Sequence, residues 1–212
     1  INIIISWGFI NHWRKKLVEL SEISSKDNVI ELCAGTGEVT KLLAKNVTEG
    51  KITAIDFCPH MLEKAKKNLK KTKYPLVNFQ LGNILNINYP DNTFDCALVA
   101  FGLRNVSNIE KALNEMKRVV KPDGKILCLD LSKPKIPVFK ELYYIYFNYL
   151  LPHIAKIIYG KIGPYKYFVQ SLKDFLDQDE LKKLFQDIGL KQVECYQLTG
   201  GITAIHKEIK KK

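Results

Sequence analysis

Val29-Ile30-Glu31-Leu32-Cys33-Ala34-Gly35-Thr36-Gly37-Glu38 is the stretch that decides the fold. Its first half is apolar and β-rich, its middle is a glycine turn, and its end opens a helical pattern over residues 38–45. A strand running through a tight turn into a helix is the first half of a βαβ unit. Gly35 and Gly37 let the backbone turn sharply and approach a ligand closely.

The same rhythm continues outward from this turn. Strands are expected over residues 28–34, 51–57, 76–82, 94–101 and 125–132, and helices over 38–45, 59–71 and 108–120. Ala97-Leu98-Val99-Ala100-Phe101 is apolar on both faces, as a central parallel strand should be. Pro122 is expected to end the helix before the fifth strand, and Asp123-Gly124 to mark the turn into it. A further helix is predicted over 177–188, with Asp177 as N-cap and Gly189 just past its end. Residues 192–199 and Thr203–Ile209 are strand-like and joined by Gly200-Gly201, which predicts a hairpin. The sum is an α/β fold: a mostly parallel, Rossmann-like seven-stranded sheet ending in an antiparallel hairpin, with helices on both faces. That is the layout of the class I methyltransferases.

Composition sets the bounds. The 212 residues suffice for one substantial domain, expected over 1–212, and 46% are hydrophobic, an ordinary share for a globular chain. The 33 basic and 22 acidic residues leave a net charge of +11. This excess points to an anionic partner (nucleic acid, an acidic lipid surface or an anionic small molecule) or to a solvated lysine-rich surface. Cysteines at 33, 58, 96, 128 and 195 form no Cys-x-x-Cys pair and read as buried free thiols in a reducing compartment. No cluster has metal-ligand spacing, and no serine–histidine–acid arrangement stands out. No secretory signal is visible, and the opening on Ile1 leads us to expect that upstream residues are missing.

Residues 133–172 break the alternation. Seven of the ten tyrosines lie between Tyr143 and Tyr167, so we expect a helical, aromatic-rich insertion here. From Leu142 to Ala155 no acidic or basic side chain appears apart from His153, and Pro152 interrupts a run too short to span a bilayer. Leu142, Tyr146, Tyr149 and Leu150 share one helical face, with Lys140, Lys156 and Lys161 nearby. Tyrosines flanked by lysines suit an interfacial element that covers the acceptor and touches a membrane. The alternative is an ordinary helix making core or dimer contacts.

The glycine turn predicts a nucleotide-bearing ligand. Asp56 ends the second strand, where an acid can accept hydrogen bonds from ribose hydroxyls. Three details favour S-adenosylmethionine over a dinucleotide. Thr40 occupies the place of the third fingerprint glycine, on which a pyrophosphate site depends. Glu31, inside the strand, suits a ligand carrying an ammonium and a sulfonium. Asn83, after the third strand, can meet the adenine. The competing reading is a tight turn with a helix-capping Asp56.

A longer run is more specific. Phe94-Asp95-Cys96-Ala97-Leu98-Val99-Ala100-Phe101-Gly102-Leu103-Arg104-Asn105-Val106 resembles the ubiquinone/menaquinone biosynthesis methyltransferases, whose hallmark is Phe-Gly-Leu-Arg-Asn after strand four. Ser6-Trp7-Gly8 followed by Trp13-Arg14-Lys15 is similar to the family's N-terminal helix. Leu131-Ser132-Lys133-Pro134, Tyr165-x-Tyr167, Leu198-Thr199-Gly200-Gly201 and Ala204-Ile205-His206 match further motifs in order. The family's Tyr-Asp pair falls before residue 1.

The resemblance implies a methyl donor, S-adenosylmethionine, bound by Gly35, Thr36, Gly37, Asp56 and the Asn83-Ile84 pair. The residue before Phe-Gly is often serine in the family and is Ala100 here, so a hydroxyl contact is missing. The acceptor it implies is a polyprenylated quinol: demethylmenaquinol first, with 2-methoxy-6-polyprenyl-1,4-benzoquinol as the alternative. The ring carbon would attack the methyl in line once a neighbouring hydroxyl ionises. Arg104 is the candidate to hold the oxyanion, and Asn105 to bond a second ring oxygen. Tyr167 and His206 are candidates for the base. The alternative for Arg104 and Asn105 is to shape and cap the loop. A cytoplasmic enzyme peripheral to the inner membrane is expected, with a homodimer as a further partner state. A nucleic-acid methyltransferase is disfavoured because Ala100-Phe101-Gly102-Leu103 stands where exocyclic-amine enzymes carry Asn/Asp-Pro-Pro-Tyr. A non-catalytic quinone- or lipid-binding protein is disfavoured by the intact glycine turn with Asp56.

Overall fold

In the computed structural model the apolar runs become strands, because their alternate residues meet two different cores. Residues 8–70, 73–135, 137, 140–141, 145–146, 149, 152 and 163–211 are described by the structure. The elements are α1 (Ile10–Ser21), β1 (Asn28–Leu32), α2 (Glu38–Leu43), β2 (Lys51–Asp56), α3 (Pro59–Asn68), β3 (Val77–Leu81), β4 (Phe94–Ala100), α4 (Ile109–Val119), β5 (Val120–Leu131), α5 (Gly163–Asp174), α6 (Gln178–Asp187), β6 (Glu194–Leu198) and β7 (Thr203–Ile209).

The sheet order is β3-β2-β1-β4-β5-β7-β6. The first five strands are parallel, and β7 runs antiparallel to both β5 and β6. On one face Leu98, Leu127, Leu129 and Ile205 pack with Trp13 and Leu17 of α1 and Phe168 and Leu172 of α5. On the other, Ala97, Val99, Ile126 and Cys128 pack with Leu113 and Met116 of α4 and Leu181 and Phe185 of α6. The period of two along β4 and β5 separates these sets. Each fully buried leucine contributes about 1.5–3 kcal/mol.

Two expectations change. The fifth strand begins at Val120, directly after α4, and pairs with Phe94 there. Pro122 stands two residues past the C-cap Val120, where a proline bars continuation of α4, as expected. Asp123-Gly124 is a kink within the strand: Asp123 has φ 64°, its N–H donates to the Lys210 carbonyl at 2.6 Å, and the register against β4 shifts there. Lys210, directly after β7, satisfies backbone at the kink that a free turn would expose to water: its carbonyl accepts from the Asp123 N–H and its N–H donates to the Gly124 carbonyl. The thiols are all free, but only Cys96 and Cys128 are buried; Cys33, Cys58 and Cys195 are half-buried. The assignments made to Ser6, Trp7, Leu142, Leu150, His153, Lys156 and Lys161 lie outside the described residues. Among the described residues no helix is long and apolar enough to cross a membrane.

Candidate active site

Strand order reverses between β1 and β4, and the loops after their carboxyl ends flank the site there. A cavity of about 650 Å³ opens at this point, within the size range of small-molecule sites. Its wall is built from the ends of β1, β2 and β4, the loop after β3, and α1.

The β1–α2 turn forms one side. Asp56, nearly buried at the end of β2, accepts from the Gly35 N–H (2.8 Å) through Oδ2 and from the Cys58 N–H (2.9 Å) through Oδ1. It thus holds the glycine turn to the start of α3 while lining the cavity, and each oxygen keeps capacity to accept a further hydrogen bond. Glu31 lines the same space and is 2% exposed. Thr40 Oγ1 donates to its Oε2 at 2.5 Å. Burial pushes the Glu31 carboxyl up to about 8, with the Thr40 bond and the Arg14 charge opposing. Thr36 lines the cavity beside Glu38, the first residue of α2. A phosphate placed at this turn would meet the Glu38 carboxylate, which disfavours a dinucleotide.

Gly37 does not reach the cavity. It adopts φ +81°, and a Cβ there would come within 2.8 Å of Leu69 Cδ1 and 3.3 Å of Ala65 Cβ. Its role is the close approach of the turn to α3. Asn83 and Ile84 do line the wall. The Asn83 side chain accepts from the Leu85 N–H at 2.9 Å in a local turn, and Ile84 is buried.

The opposite side is the end of β4. Ala100, Phe101, Gly102, Arg104 and Asn105 all line the cavity. Cys33 (φ 56°) and Phe101 (φ 57°) both hold left-handed backbone, one at the end of each flanking strand. Non-glycine residues in such regions cluster at functional sites and cost on the order of 1–3 kcal/mol. Gly102 lets the two loops touch, because a Cβ there would stand 2.4 Å from Cys33 Cβ.

Arg104 is not a free cation. Its Nη1 donates to Asp130 Oδ1 at 2.6 Å and to the Phe101 carbonyl at 2.9 Å, and its own N–H meets Asp130 Oδ2 at 3.2 Å. The side chains are 8% and 1% exposed, so this is a buried ion pair. The guanidinium lies 5.6 Å over the Phe168 ring. The loop-shaping alternative therefore describes part of what Arg104 does. Asn105 is exposed, and its Oδ1 accepts from the Tyr167 hydroxyl at 3.1 Å, which brings α5 to the cavity mouth.

His206 is elsewhere. It is 1% exposed in β7, stacks on Phe185 at 5.9 Å, and donates from Nε2 to the Gln178 carbonyl at 2.8 Å. Burial lowers its pKa, and it does not line the cavity. Its assignment as a base is withdrawn: the strand's period points it into the core beneath α6.

Sequence reasoning gave no role to Arg14, Phe57 or Met61, which also line the cavity. Phe57, just after β2, is 75% exposed, and Met61, in the first turn of α3, is 38% exposed. A large apolar residue directly after Asp56, at the point where β2 leaves the core, was the available signal.

With this geometry in view, likeness to known proteins is informative. The sequence model of the ubiE/COQ5 methyltransferase family matches residues 1–210. A demethylmenaquinone methyltransferase of Desulfitobacterium hafniense (strain Y51) is 40% identical over 207 residues, 97% of this chain and 82% of that protein. Its counterpart in Staphylococcus haemolyticus (strain JCSC1435) is 38% identical over 215 residues, covering 100% and 88%. In three dimensions, a SAM-dependent methyltransferase from Aquifex aeolicus superposes with a TM-score of 0.67 at 21% identity, over 92% of this chain and 88% of that one. That structural likeness bears on the fold alone.

Proposed function

The chain belongs to the ubiE/COQ5 methyltransferase family, and from that premise we propose that it methylates a ring carbon of demethylmenaquinol with S-adenosylmethionine as donor. The observation that carries the substrate is the match to demethylmenaquinone methyltransferases across nearly the whole chain. The benzoquinol alternative is not favoured by these relatives.

The residues present fit the donor. Asp56 offers carboxylate lone pairs to ribose hydroxyls, Glu31 offers an acid to a doubly cationic ligand, and Phe57 with Met61 offers an apolar wall to a base. Bound there, S-adenosylmethionine supplies a methyl group on a positively charged sulfur. The chain's own part is alignment and electrostatics, and alignment is worth about 7–11 kcal/mol. Arg104 faces the oxygen of the quinol ring and favours its ionised form. Asp130 fixes the guanidinium, so that no reorganisation is needed when the ring charge develops. Asn105 bonds the second ring oxygen. Tyr167, joined to Asn105, is the group that moves the ring proton, since His206 lies in the core. The prenyl tail leaves along α5 toward a membrane surface, a reading supported by the net charge of +11 and by exposed Ile145 and Tyr149.

The test is methyl transfer from labelled S-adenosylmethionine to each reduced quinone in turn. Label should appear in menaquinol. Label only in the benzoquinol product would overturn the substrate, and no transfer to either would overturn the activity.

A further inference from the structure

The amino-acid end of the donor needs a partner for its carboxylate, and none of the residues discussed so far supplies one. Arg14 does. It follows Trp13 on α1, a residue that is 1% exposed, donates to Thr199 Oγ1 at 2.8 Å and sits 6.2 Å from the Phe101 ring. The helix is therefore pinned beside the cavity, and Arg14 lines it together with Glu31 and Glu38.

The guanidinium is incompletely partnered. Its Nη1 donates to Asn11 Oδ1 at 3.3 Å, and among the described residues no carboxylate lies within ion-pairing distance of 4.0 Å. Burial works against its charge, and the fields of Glu38 and Glu31 favour it. A half-buried arginine without a counterion is costly unless a ligand brings one. An α-amino acid group carries a carboxylate and an ammonium on adjacent positions. A cation beside a buried acid at one end of one cavity is the complement of that pair. The guanidinium fork suits a carboxylate in two-point contact, which a lysine cannot reproduce.

We propose that Arg14 binds the carboxylate of the donor's amino-acid end, with Glu31 facing its ammonium. The assignment rests on the S-adenosylmethionine reading above and adds the residue that distinguishes the whole donor from its nucleoside part. It gives α1 a role in binding beyond packing on the sheet.

The test compares ligands, not turnover. Titration calorimetry measures S-adenosylmethionine and its decarboxylated form, which keeps the ammonium and sulfonium, on the wild type, Arg14→Gln and Arg14→Lys. A charge-assisted contact of this kind corresponds to a loss of about 10- to 100-fold. Arg14→Gln should lose that much affinity for S-adenosylmethionine and stay within about twofold for the decarboxylated ligand. Arg14→Lys should fall between. Equal weakening of both ligands would overturn the proposal, since it would mean that Arg14 shapes the pocket; so would no weakening of either. If Arg14→Gln does not fold by thermal melting, Arg14→Lys and the wild-type preference for the carboxylated ligand decide. A wild type that binds neither ligand overturns the donor reading itself, a different result from loss of discrimination.

Discussion

Glu31 shows how one side chain can connect burial to ligand binding. Its carboxyl is pushed to about 8 from 4.5 by burial, with Thr40 and Arg14 opposing and Asp56 reinforcing. The folded chain thus keeps a proton that the unfolded chain has released. The contribution of this group to stability therefore falls as pH rises from 4.5 towards 8. A cationic donor reverses the preference, because it favours the carboxylate. At pH 7, binding should expel a proton. Calorimetry in two buffers of different ionisation heat should give different binding heats for the wild type and the same heat for Glu31→Gln. Identical heats for the wild type would sink the idea. Arg104 makes a second case. The sequence made its place legible through Phe-Gly-Leu-Arg-Asn, but not its pairing, because Asp130 lies 26 residues away on another strand. Arg104→Ala should abolish methylation and destabilise by about 3–5 kcal/mol, since it strands a buried carboxylate. Arg104→Ala with Asp130→Ala should recover most of that stability in denaturant titration and none of the activity. Recovered turnover in the double variant would remove Arg104 from the chemistry.

Elements were legible where the signal is local. The cap of α6 was legible from Asp177 alone, and the structure adds a reciprocal box with Glu180, three residues on. Asp177 Oδ1 accepts from the Asp179 and Glu180 N–H groups (2.8 and 3.0 Å), and Glu180 Oε2 accepts from the Asp177 N–H at 2.6 Å. Asp177→Ala should cost about 0.5–2 kcal/mol, read as a lower denaturant midpoint. Methylation per folded molecule should be unchanged, since α6 does not line the cavity. A loss of specific activity would mean that α6 reaches the site. The reading of Asp123-Gly124 failed for the converse reason. Two turn-forming residues look the same in a free turn and in a strand kink, and only the distant β7 decides between them. His206 failed likewise: a motif placed it, but its neighbours Gln178 and Phe185 come from a helix earlier in the chain. Local pattern thus recovered the order and kind of the strands, while long-range pairing set their ends and the duties of their polar side chains.

At the scale of the molecule, the proposed acceptor carries a prenyl tail that dissolves in lipid, and no described helix is long and apolar enough to cross a bilayer. The membrane contact proposed above would draw on two terms. The +11 charge is attracted to an anionic leaflet, with each basic residue near the surface worth about 1 kcal/mol. Exposed apolar side chains on the segment that leads into α5, Ile145 at 56% and Tyr149 at 70%, can enter the interface. The two terms separate by salt, because charge attraction is screened within about 8 Å at physiological ionic strength while apolar burial is not. Flotation with vesicles containing anionic lipid should recover the protein at low salt, and recover less of it at high salt. Neutral vesicles should recover little. Ile145→Asp should weaken flotation at both salt levels and leave methylation of a short-tailed, water-soluble quinol unchanged. Absence from the vesicle fraction in every condition would defeat the membrane reading. Equal retention by neutral vesicles would instead assign the contact to the apolar face alone, because charge would then have no part in it.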